Sequence, residues 1–184
     1  MPKEIEKLDF CFENSLVKVT ADRNYPEIQL AGLSVGPFQE GNDYEVHYWI
    51  AQELAETAIV HFREDDLLRA TSLYKIQWKE RVQIAGRISE LEEDFYPKLR
   101  RYLADIKSEI TKHPEKAQEY EKTMHSALDI VNSRLKKIIA LSSGPSQTGQ
   151  IQKKLTCEER SIYVQLCKII SEWKAQILNF GGEL

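Results

Sequence analysis

Apolar positions along this chain change period near residue 62. Before it they alternate, which is the strand signature; after it they recur at steps of three and four, which is the helix signature. Ser15–Thr20 alternates around Val17 and Val19, Pro26–Leu30 alternates again, and Tyr44–Val46 is a short strand candidate. Cys11, flanked by Phe10 and Phe12, reads as part of an apolar strand. From His47 to Thr57, the residues Trp49, Ile50 and Leu54 fall at helical intervals, and Ile59–Phe62 reads as a returning strand. Residues 1–62 therefore predict a small β-rich domain with one helix.

The rest predicts helices. Asp65-Asp66 suit the start of a helix carrying Leu67, Thr71, Tyr74, Trp78, Val82 and Ala85, with Leu68, Leu73, Ile76 and Ile84 on other faces. Asp94 suits the cap of a second, with Phe95, Leu99, Tyr102, Ile106 and Ile110; Pro97 sits in its first turn, where proline is tolerated, and His113-Pro114 ends it. Met124, Leu128, Val131, Leu135 and Ile138 form a heptad-like seam on a third. The stretch from Ser142 to Gly149 is a break. Thr156-Cys-Glu-Glu159 matches a capping box and opens a last helix with Ile162, Leu166, Ile169, Trp173 and Ile177. The expected class is α+β, predominantly helical: a β-rich domain over 1–62, then a bundle of about four helices over 63–184.

Composition narrows the function. With 42% hydrophobic and 29% charged residues among 184, the chain buries a core and is not disordered. No apolar run reaches the ~18 residues of a membrane span. The first ten residues mix acids and bases without a secretory h-region. Three scattered cysteines with no CxxC fit a reducing compartment, so a soluble intracellular protein is expected. The net charge of −4 is uneven: residues 1–62 carry four Lys/Arg against eleven Asp/Glu, a net of −7, and the remainder carries 21 against 18, a net of +3. Neither half has the basic excess of a dedicated DNA binder.

Candidate chemistry is sparse. The loop Gly36-Pro-Phe-Gln-Glu-Gly41 is glycine-rich, but Pro37 removes a donor and Glu40 and Asp43 repel phosphate, so a structural turn is favoured over a phosphate site. His47, His61, His113 and His125 show no ligand spacing, so neither metal nor cofactor is expected. Cys157 lies in the first turn of a helix, which lowers a thiol pKa, yet Glu158 and Glu159 oppose that. It is the one candidate nucleophile, and no catalytic constellation surrounds it. Arg134, Lys136 and Lys137, with Lys153 and Lys154 across the break, form the best basic cluster; it reads as helix-dipole complementation or as a contact for nucleic acid or an acidic partner. Tyr74, Trp78, Tyr163, Ile170 and Trp173 cover more helix faces than a small bundle buries, and predict a subunit interface. Trp49 is expected to anchor the small domain's helix to its sheet, the alternative being an exposed partner contact.

One resemblance organises these features. The GPF loop, the short strand after it and the run Tyr48-Trp-Ile-Ala-Gln-Glu-Leu54 resemble the small β-domain of GINS subunits, of the class in which that domain comes first. Gly36, Pro37, Phe38, Gly41, Trp49, Ala51 and Leu54 carry the match; His47, Tyr48 and Ile50 depart from the usual pattern. Leu91–Leu103, Asn132–Ser143 and Leu155–Leu166 are similar to three helices of the GINS helical domain. The resemblance implies a non-enzymatic replication factor, archaeal in type, one subunit of a tetramer of the α2β2 kind. It implies a scaffold between the MCM helicase and a RecJ-family-like partner, with direct DNA contact left open and no membrane involved. The implied place is the cytoplasm, beside the nucleoid, or the nucleus of a eukaryote. The competing expectations are a helical adaptor for nucleic acid or chromatin using the Arg134–Lys154 region, and an enzyme using Cys157.

Overall fold

The computed structural model describes residues 2–30, 32–63, 67–82, 88–111, 113–144 and 151–178. Contacts divide the chain between Leu68 and Arg69. The first unit runs α1 (Pro2–Glu13), β1 (Leu16–Ala21), β2 (Ile28–Leu30), β3 (Leu33–Val35), β4 (Asp43–His47), α2 (Tyr48–Glu56) and β5 (Val60–Phe62).

The opening segment is a helix and not the strand expected around Cys11. Phe10 and Cys11 are exposed, and only Phe12 of that run is buried. Ile5, Leu8 and Phe12 share one face at helical spacing, and Pro2 with Glu4 in the first turn suits a helix start. Phe12 lies against Tyr48, ring centroids 4.6 Å apart.

Strand β1 is the centre of a three-stranded antiparallel sheet in the order β4-β1-β5. Its alternation sorts the two faces. Val19 and Ala21 point into a core shared with Phe38, Val46, Ile50, Ala51, Leu54, Ile59 and Val60. On the other face Lys18 stands opposite Glu45, and the Thr20 hydroxyl donates to Asp43 at 2.7 Å. Strands β2 and β3 form a separate hairpin.

The Gly36–Gly41 loop delivers Phe38 to this core. Gly36 has φ +97°, and a Cβ there would stand 3.1 Å from the Phe38 ring. The backbone N–H groups that a phosphate would need are already engaged. Phe38 donates to the Tyr25 carbonyl, Gln39 to the Tyr44 hydroxyl, Glu40 to the Asn24 side chain and Gly41 to the Ala21 carbonyl. Helix α2 packs on the sheet through Ile50, Ala51 and Leu54. Trp49 is not the anchor: it is 39% exposed, because the helix begins at Tyr48 and the inward phase falls on Ile50.

The second unit holds α3 (Ala70–Val82), α4 (Phe95–Ile110), a 3-10 turn at Pro114–Lys116, α5 (Ala117–Ser143) and α6 (Cys157–Leu178). Helix α5 packs against α3, α4 and α6. Asp94 precedes α4 but makes no side-chain cap bond, and Pro97 sits in the first turn. Asp65-Asp66, Ile84, Ala85 and most of the expected break fall outside the described residues.

If Ile50 is the true anchor, Ile50→Ala costs ~2–5 kcal/mol and Trp49→Ala within about 1 kcal/mol of nothing. Amide hydrogen exchange of the β1 residues Val17–Ala21 in the full chain reads this locally. Equal loss of protection in both variants would contradict it.

Candidate assembly interface and the ion network behind it

The predicted basic cluster is divided by the fold. Lys136, Lys153 and Lys154 are exposed, whereas Lys137 is buried and Arg134 has 0% exposure. The two buried cations are unavailable to nucleic acid, which corrects the helix-end expectation for them. The physical reason is that two distant carboxylates meet them. Arg134 donates through Nη1 to Glu80 of α3 at 2.7 Å, through Nη2 to Glu159 of α6 at 2.7 Å, and through Nε to Glu159 as well. Lys137 Nζ reaches Glu80 Oε2 at 2.5 Å and the Glu80 carbonyl at 2.8 Å. The Ser89 hydroxyl donates to Glu80, and the Tyr96 hydroxyl donates to Glu159 Oε1 at 2.7 Å.

Two cations and two anions therefore share one interior site with net charge zero. Burial disfavours ionised Glu80, but the hydrogen bonds from Lys137 and Ser89 and the Arg134 charge outweigh it and hold its carboxyl below the ordinary range. Burial likewise opposes the Arg134 charge, and the bonds and charges of Glu159 and Glu80 overcome it and raise its pKa. Tyr96 is pushed up by burial and by Glu159, so it stays a phenol donor.

Glu159 also closes the predicted capping box. The Thr156 N–H donates to Glu159 Oε2 at 3.2 Å, and the Glu159 N–H donates to Thr156 Oγ1 at 3.4 Å. The neighbouring Cys157 thiol is pushed up by burial and by its hydrogen bond to Glu93, which moves it away from a nucleophilic thiolate.

The surfaces around this network are apolar in places. On α5, Leu128, Val131, Leu135 and Ile139 are exposed, so the heptad seam faces mostly outward and only Ile138 of it is fully buried. The buried side of α5 is Thr123, Ala127, Ile130, Arg134 and Lys137. At about 100° per residue, the exposed stripe lies to one side of Arg134, and Asp129, Ser133 and Lys137, which contact α3, lie to the other.

Helix α6 behaves differently. Its inward face carries Glu159 and Tyr163, and Tyr163 is buried against Ile88, Ile138 and Leu155. Tyr163 is thus a core residue and not a surface residue as expected. The same face continues through Ile170, half-buried, to Trp173 and Ile177, which are bare, with Trp173 60% exposed. The apolar pattern outruns the bundle that covers it. Tyr74 and Trp78 of α3 are also exposed, at 66% and 59%.

Among the described residues no group of His, Cys, Asp and Glu is arranged to hold a metal, and no helix is long and apolar enough to cross a membrane. Two family models match the chain. Residues 62–178 match Sld5, described as the GINS complex protein helical bundle domain, and residues 4–59 match the PSF2 N-terminal domain. No curated protein matches it.

Removing one member of a buried ion set leaves a charge bare. Arg134→Ala is expected to cost ~3–5 kcal/mol, enough to lose most of the helical unit's cooperative unfolding transition. A calorimetric transition unchanged from wild type would refute the network's role. The acid response follows from Glu80. Its folded pKa lies below its ordinary value of 4.5, so its stabilising effect is complete above that pH and is lost as pH falls through the lowered value. The thermal midpoint should be flat from about pH 7 to about pH 5 and drop below about pH 4.5, with a shallower drop in Glu80→Gln.

Proposed function

The chain belongs to the GINS family, as a DNA-replication subunit with a PSF2-like N-terminal domain, and from that premise we propose that it is one member of a four-subunit scaffold that joins the replicative MCM helicase to a RecJ-family-like partner. The observation that carries the assembly is the face of α6: buried at Tyr163, bare at Trp173 and Ile177. A solitary chain leaves that helix end in water, where a lone helix of this length is marginal. A second chain laid along it completes the burial.

Four subunits closed into a ring give each subunit two neighbours and two interfaces. The α6 face, with Ile170 and Trp173, supports one; the α5 stripe, with Leu128, Leu135 and Ile139, supports the other. The small domain, acidic at −7 over residues 1–62, is the part free to engage further partners. Gly36, Pro37, Phe38, Gly41, Ala51 and Leu54 shape that domain, and the exposed Trp49 is its contact residue. The family's domains are non-catalytic, and this chain is read as one without turnover. We assign it an archaeal α2β2 assembly in the cytoplasm, beside the nucleoid; in a eukaryote the place would be the nucleus.

Light scattering tests this. The wild-type chain, alone or with its partner subunit, should have the mass of an oligomer. Trp173→Ser with Ile177→Ser should lower that mass while circular dichroism stays within about 10% of wild type, since both side chains are exposed in the single chain. A monomeric wild-type chain that remains monomeric with its partner subunit would sink the scaffold reading.

A further inference from the structure

Helix α3 carries a repeated dyad: Tyr74-Lys75, then Trp78-Lys79, four residues apart. Tyr74, Trp78 and Val82 form one exposed stripe at i, i+4 and i+8. Lys75 and Lys79 flank it on one side, and Arg81, which holds Asp129, flanks it on the other. The only acid on α3, Glu80, is buried in the ion network. A chain with 29 Asp/Glu against 25 Lys/Arg thus presents three exposed cations and no exposed acid on this helix.

We propose that this face is a stacking platform for single-stranded nucleic acid. Sequence-tolerant strand binding needs aromatic faces for the bases and cations that track the backbone, and here each ring has a lysine beside it. Protein interfaces also favour Tyr and Trp, but their centres are depleted in lysine, whereas here the lysines adjoin the rings. Spacing selects the form of the ligand. Four residues of helix separate the rings by about 6 Å along the axis. Bases stacked in a duplex strand repeat every ~3.4 Å and present their edges, not their faces. An unstacked strand can lay one base on each ring and a phosphate by each lysine. The site lies on α3, away from the α5 stripe and the α6 face, so this inference goes beyond the proposed assembly and does not depend on it.

Fluorescence anisotropy of a labelled oligothymidylate with the full-length chain, alone and in its assembled form, is the test. Binding should be tighter than to a duplex of equal length, with a log K against log[salt] slope of about −1.4 for the two lysines, since Asp129 already holds Arg81. Tyr74→Ala and Trp78→Ala should each weaken it by about tenfold or more. Lys75→Gln with Lys79→Gln should remove most of that slope. All four side chains are exposed, and an unchanged circular dichroism spectrum verifies that the variants fold. Absence of binding at low salt, or binding indifferent to both ring variants, overturns the proposal. So does the outcome in which the ring variants lose oligomer mass at unchanged strand affinity, which would make α3 a protein contact.

Discussion

Arg134 is wholly buried, and the way α3 and α6 meet α5 depends on that fact. A bare guanidinium in a protein interior costs several kcal/mol, so it is present only if carboxylates are held against it from more than one direction. Glu80 arrives from α3, Glu159 from α6, and Lys137 balances the second negative charge. Such a quartet is a modest net source of stability, because desolvation offsets most of the attraction. Its stronger effect is on alternatives. Any packing that slides α3 or α6 along α5 strands a charge without a partner. Apolar helix faces tolerate sliding; this site does not.

That constraint explains how so much apolar surface is left outside. The interior of the unit is partly polar, built from Arg134, Lys137, Glu80, Glu159 and Thr156. Leu73, Leu99, Ile106 and Ile130 fill the rest of it, and further leucines and isoleucines stand on the outer stripe of α5 and the far part of α6. A bundle with charge in its interior and hydrocarbon on its flank suits the proposed association: the ion set orders the helices, and the flank offers apolar area for another chain to bury.

Local signals were readable in the amino-acid order and long-range ones were not. The capping box at Thr156–Glu159 involves residues three apart, and it forms as its spacing predicts. Strands β1, β4 and β5 follow their alternation for the same reason. The ion network joins residues 54 and 25 positions apart, so Arg134 and Lys137 looked like ordinary cations near a helix end. The seam on α5 shows a second limit. Its period was evident from Leu128, Val131 and Leu135, but periodicity does not say whether an apolar face meets its own chain or another. Phe10-Cys11-Phe12 resembled a strand because three adjacent apolar residues fit either period; the wider spacing of Ile5, Leu8 and Phe12 decides for the helix. Phase within α2, and not bulk, selects Ile50 over Trp49 for the core.

Glu159 is at once the cap of α6 and the clasp on Arg134, and the two tasks together index the helix. The cap decides at which residue the screw begins, and the ion pair decides how that screw is rotated about its axis. Trp173 follows 14 residues later, about 21 Å along and close to four full turns on, so it emerges at nearly the same azimuth as the carboxylate. A displacement of one residue at the start would swing the indole by about 100°. The buried charge at one end of α6 works as a sighting mark for the aromatic ring at the other, so that the ring is already aimed at the neighbour the proposed assembly would place there.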